Sequence, residues 1–152
     1  MDEQRAQRRL TMMSRQMTLA KIAKREAMVS LADAVTQEAR SAHLSQRSRG
    51  LLSEYSKRLA AKSGHDLQGN AKFVHQLQEV AEQAAKALND ASDQARWQVQ
   101  SLAKAESRAS RFSERIDAAK RDIESIKAKR ETAQTGQMAR KLHSISSNIP
   151  DT

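Results

Sequence analysis

The chain has 152 residues, of which 30% are charged, 38% hydrophobic and only 3% aromatic. That is the length of one domain, with little material for a thick globular core, and no run of about eighteen apolar residues is present to span a membrane. Cysteine is absent, which excludes disulfides and thiolate metal sites, and a net charge of +9 favours acidic surfaces, nucleic acid or anionic lipid as partners.

The charge is uneven. Residues 1–63 carry 13 Lys and Arg against 6 Asp and Glu, whereas residues 64–152 carry 14 against 12. The N-terminus is charged and lacks an apolar core segment, so no secretory signal is expected and the cytoplasm is the expected compartment.

Residues 3–62 read as one helix. Leu10, Met13, Met17, Ala20, Lys24, Ala27, Leu31 and Ala34 recur at alternating steps of three and four. Such a stripe buries itself against another helix. Lys24 is its polar member, a candidate for setting register. The stripe weakens through Ser41, Ser45 and Ser48, and Gly50 costs about 1 kcal/mol against Ala. Bending or mobility is expected near 41–50, with the helix continuing through Leu52, Tyr55 and Leu59.

Residues 63–70 interrupt the pattern with Gly64 and Gly69. Gly64 suits a helix C-terminus and Asn70 an N-cap. A connection that short folds two helices back antiparallel. Residues 71–143 then read as the second helix. Phe73, Leu77, Val80, Ala84, Ala87 and Ala91 are taken as its first heptads, and the step from Ala91 to Ala95 as a stutter. Leu102, Ala105, Ala109, Phe112, Ile116, Ala119, Ile123 and Ile126 follow without a break. Residues 144–152 are expected to be a disordered tail. The predicted architecture is all-α, a long antiparallel two-helix coiled-coil hairpin over residues 1–143.

No catalytic constellation is legible. His43, His65, His75 and His143 share no i,i+3 or i,i+4 spacing, and no phosphate loop or nucleophile motif occurs. The expectation is a non-enzyme without metal or cofactor. Met12, Met13, Met17 and Met28 read either as an adaptable binding face or, preferably, as seam filling. Trp97 reads equally as an interface anchor or a packing residue. Arg5, Arg8, Arg9, Arg15, Lys21, Lys24 and Arg25 are opposed only by Asp2, Glu3 and Glu26, which points to an acidic partner.

The segment 73–131, FVHQLQEVAEQAAKALNDASDQARWQVQSLAKAESRASRFSERIDAAKRDIESIKAKRE, resembles the flagellar FliJ family of the type III export apparatus. The opening MTLAKIAKREAMVSLADAV is similar to that family's first helix, so the likeness covers most of residues 10–131. The resemblance implies a coiled-coil stalk and general chaperone for protein export and motility. Such a stalk inserts the end bearing both termini into the hexameric FliI-like export ATPase, contacts the FlhA-like export gate and handles export chaperones. Its location would be cytoplasmic, at the membrane only through the export apparatus. The family's gate-binding stripe falls on Phe73, Leu77, Val80 and Ala84; the first two match it, and Val80 and Ala84 depart. The ATPase-ring contact is assigned to the basic helix, at Arg5, Arg8, Arg9, Arg15, Lys21 and Arg25. The equivalent stalk of a virulence-type secretion system is the nearest alternative. A basic nucleic-acid-binding coiled coil is another, but stacking aromatics and a base-reading motif are missing. A peripheral membrane helix would need a bulkier apolar face.

Overall fold

The computed structural model describes residues 2–58 and 64–147. It is all-α. Helix α1 runs Asp2–Lys57 and helix α2 runs Gly64–Ser146, and the two pack against each other as an antiparallel hairpin. Asp2 and Glu3 lie in the first turn of α1 and Asp66 in that of α2, where acidic groups complement the helix dipole.

Two compact units divide the chain, Met1–Ile22 with Ser107–Thr152, and Ala23–Glu106. In the first, Arg130 Nη1 donates to Glu3 Oε2 at 3.2 Å, so the start of α1 lies beside the late part of α2. The half-buried or buried residues of α1 there are Glu3, Ala6, Leu10, Met13, Met17 and Ala20, and those of the facing stretch of α2 run from Ala109 through Phe112, Ile116, Ala119 and Ile123 to Ile126.

In the second unit Lys24 Nζ lies 3.5 Å from Glu106 Oε1, and the rings of Tyr55 and Phe73 meet edge to face at 4.9 Å. These two contacts fix an antiparallel register. The α1 seam continues as Lys24, Ala27, Leu31, Ala34, Glu38, Ser41, Ser45, Ser48 and Leu52. Ser41 and Ser45 are among its most buried residues. The stripe is therefore not weak at 41–48, and α1 continues through it. Small side chains let two packed helices approach closely.

The first heptads of α2 are shifted from expectation. Its seam is Val74, Leu77, Ala81, Ala84, Leu88, Ala91 and Ala95, continuing to Gln98, Leu102 and Ala105. Phe73, Val80 and Ala87 stand outside it, exposed. The steps of three and four then run unbroken, so the stutter expected at Ala91–Ala95 is absent.

The expected turn is also corrected. Residues 64–70 belong to α2, so Gly64 opens that helix instead of closing α1, and Asn70 lies inside it. No described glycine has a positive φ, and a Cβ at Gly64 or Gly69 would meet nothing within 4 Å. Isolated glycines weaken a helix without breaking it. Residues 59–63, which include the expected end of α1, Leu59 and Ser63, lie outside the described residues. Of the expected tail, Ser144, Ile145 and Ser146 are helical, and residues 148–152 lie outside the described residues. No helix is long and apolar enough to cross a membrane, among the described residues.

Candidate interaction faces

Surface pattern is what a helix pair offers a partner. The heptad that buries one side of α1 also sorts its outward side. In the first unit Arg5, Arg8, Met12, Arg15, Leu19 and Ile22 follow one another at steps of three and four, and all are exposed. They form a single line on the face turned away from the seam. Met12 is 62% exposed and Leu19 66%, a high exposure for aliphatic side chains on a helix. Arg9 borders this line, whereas Lys21 flanks the seam.

Glu3 belongs to the seam and does not face this line. It accepts from Arg130 at 3.2 Å and from Gln7 Nε2 at 3.3 Å. Among the described residues Arg5, Arg8, Arg9, Arg15 and Lys21 make no ion pair. Arg25 is exposed too, but it belongs to the second unit.

The methionines separate by register. Met13 and Met17 fill the seam, while Met12 and Met28 are exposed. Seam filling, the preferred expectation for all four, holds for Met13 and Met17 and fails for Met12 and Met28. The interleaving of Met12, Leu19 and Ile22 with arginines was legible in the same spacing, but only once the outward positions were read as a stripe of their own.

The second face lies in the other unit, toward the connection. Phe73 and Val80 are exposed and seven residues apart, on one flank of α2. Leu77 and Ala84 turn into the seam and are half-buried. The four residues therefore do not share one outward face. The Phe73 and Tyr55 rings meet edge to face, and the Tyr55 ring also lies 5.9 Å from the Arg58 guanidinium. Phe73 thus meets Tyr55, and Leu67 remains exposed. Leu44 and Leu51 each precede a seam residue of α1, as Phe73 and Val80 do on α2. In an antiparallel pair such positions line the same flank, so the register adds two exposed leucines to this face.

Trp97 is 58% exposed, outside the seam. His75 pairs with Glu79 at 3.6 Å, both exposed. Among the described residues no group of three or more His, Cys, Asp or Glu is placed to hold a metal ion.

Comparison of the chain with protein-family models, with curated proteins and with solved structures finds no match.

Proposed function

We propose that this protein is a FliJ-like stalk of a flagellar type III export apparatus, linking a hexameric export ATPase to an export gate. The observation that carries the reading is the outward line of Arg5, Arg8, Met12, Arg15, Leu19 and Ile22 near the start of α1. A binding face that combines cationic and aliphatic side chains suits a pore with acidic walls and apolar sockets. The arginines steer entry through the long-range field, and the aliphatic groups hold once water is expelled. On this reading the helix pair presents the face and any effect on ATP hydrolysis would be exerted through the partner.

The flank of Leu44, Leu51, Phe73 and Val80 supports the second half of the reading. Large apolar groups exposed together on a helix pair are docking candidates, and the gate contact of the resemblance begins at Phe73. Export chaperones remain partners by resemblance alone.

The test uses the full-length chain and the flagellar export ATPase of the same organism. Binding and ATPase stimulation are measured for the wild type and for Arg5→Glu, Arg8→Glu and Arg15→Glu combined. The reversal should abolish most binding at low salt while leaving helicity intact, since all three residues are exposed. Wild-type binding by the triple variant, or no binding by the wild type, would overturn the reading.

A further inference from the structure

The second unit carries an apolar stripe that its own fold does not use. Met28, Ala32, Val35, Ala39 and Ala42 follow one another on α1 at steps of four and three. This is the spacing of a coiled-coil seam, displaced from the seam that packs on α2. Met28 is 52% exposed and Val35 50%. A helix with two heptad stripes is built for two helical neighbours, and within this unit α1 has one.

α2 extends the same surface. Met28, Val35 and Ala42 each follow a seam residue of α1, and Ala85, Ser92 and Val99 each follow a seam residue of α2. In an antiparallel pair these positions share a flank, the opposite one from that of Phe73. The stripe therefore forms one wall of a shallow trough. The other wall is of small side chains, Ala85 and Ser92, and ends on the exposed Val99.

We propose that this stripe pairs with the same stripe of a second copy of the chain, antiparallel about a two-fold axis near residues 33–34. Three observations favour a second copy over an unrelated helix. First, the stripe is self-complementary in size. Antiparallel seams oppose the two kinds of heptad position. That layering sets Met28 against Ala39 of the other copy and Val35 against Ala32, so every bulky side chain meets an alanine.

Second, the stripe holds no charge between Met28 and Ala42, so a partner recognised by charge has nothing to grip there. Arg25 closes it at one end. Third, this stretch escapes the basic character that would drive copies apart. Glu26, Asp33 and Glu38 stand against Arg25 and Arg40 over residues 25–42. An isologous contact of this kind closes on itself as a dimer.

The apolar stretch that pairs, Met28–Ala39, is about 17 Å long at ~1.5 Å per residue, with Ala42 set against Arg25 of the other copy, which places the interface at the small, weak end of specific contacts. The dimer should be micromolar. The inference is independent of the stalk reading, because it involves neither the Arg5–Ile22 line nor the Phe73 flank.

Sedimentation of the full chain over a wide concentration range tests it. A monomer–dimer equilibrium is expected, and Val35→Lys should weaken it by about 100-fold or more, since the lysine would be buried without a partner. Val35 is half exposed, so the variant should keep its helicity; Val35→Ala, with a smaller loss, serves as the second variant. Orientation is read from spin labels on single cysteines, which the cysteine-free chain permits. A label at Asp33 should report a short distance between copies, and one at Gln46 roughly 40 Å from the ~1.5 Å rise. A chain that stays monomeric, a dimer indifferent to Val35→Lys, or short distances at both labels would each overturn the proposal.

Discussion

Lys24 and Glu106 meet across the seam of the second unit at 3.5 Å. The lysine occupies a position where its heptad neighbours are Ala20, Ala27 and Leu31. The register sets it against Ala105, whose small side chain leaves room for the lysine stem to lie over it while the ammonium reaches the next residue, Glu106. Both side chains keep substantial exposure, 40% and 51%, so the attraction is screened and worth under about 1 kcal/mol. A polar seam residue of this kind contributes more to choosing one register than to holding the pair together. Glu106→Lys should lower the melting temperature and Lys24→Glu likewise. The double reversal should recover most of the loss, with a coupling that shrinks as salt is added. Independent, additive effects of the two single changes would show that the pair is incidental.

Ser45 gives the clearest stability prediction. Among the described residues its side chain is the largest that is fully buried, and its hydroxyl has no hydrogen-bond partner. Ser48, one turn on, instead donates to the Leu44 carbonyl at 2.8 Å. Ser45→Ala removes the unsatisfied group and adds helix propensity, and should stabilise by about 1–2 kcal/mol. Ser45→Leu should destabilise, because the register sets residue 45 against Ala84 and the close approach leaves no volume. Thermal unfolding followed by circular dichroism checks both. A destabilised Ser45→Ala would mean that the hydroxyl holds a water the packing needs.

How far the sequence was legible depended on how sharply its apolar residues contrasted with their neighbours. The seam from Leu10 to Ala34 and that from Leu102 to Ile126 were read directly from spacing. Residues 73–91 were not, because two registers fit there equally well. Both contain Leu77, Ala84 and Ala91, and they differ in choosing Phe73, Val80 and Ala87 or Val74, Ala81 and Leu88. Bulk favoured the first choice, yet close packing took the alanine at 81 and left the larger Val80 outside. The same bias hid the seam at Ser41, Ser45 and Ser48, where small size mattered more than polarity. The outward line through Met12, Leu19 and Ile22 and the stripe through Met28 and Val35 were equally present in the spacing. They were obscured because a long helix is usually credited with one apolar side.

Gly50 lies exposed within α1, and a Cβ there would meet nothing within 4 Å. Gly50→Ala should therefore stabilise by about 1 kcal/mol through backbone entropy alone. For a chain of this size that corresponds to a rise of about 2–4 °C in melting temperature. Hydrogen exchange should slow most in α1 near residue 50. A lowered melting temperature would indicate that the glycine serves a conformation other than this helix.

Phe73 and Leu77 separate docking from packing. Phe73 is 43% exposed and meets Tyr55 edge to face, whereas Leu77 is half-buried in the seam, opposite Leu52 in the register. Changing them together would mix two effects, so they are best changed singly. Leu77→Ala should cost about 2 kcal/mol or more through lost burial. Phe73→Ala should cost less, roughly 1 kcal/mol, from the lost aromatic contact and partial burial. If the flank of Leu44, Leu51, Phe73 and Val80 docks on the export gate, Phe73→Ala and Val80→Ala should each lose gate binding and motility out of proportion to their small loss of stability. Leu44→Ala should do the same from the other helix, because the register sets it on the same flank and its side chain is 59% exposed. Should gate binding instead track melting temperature across all four variants, Leu77→Ala being the worst in both, the flank has only a structural role.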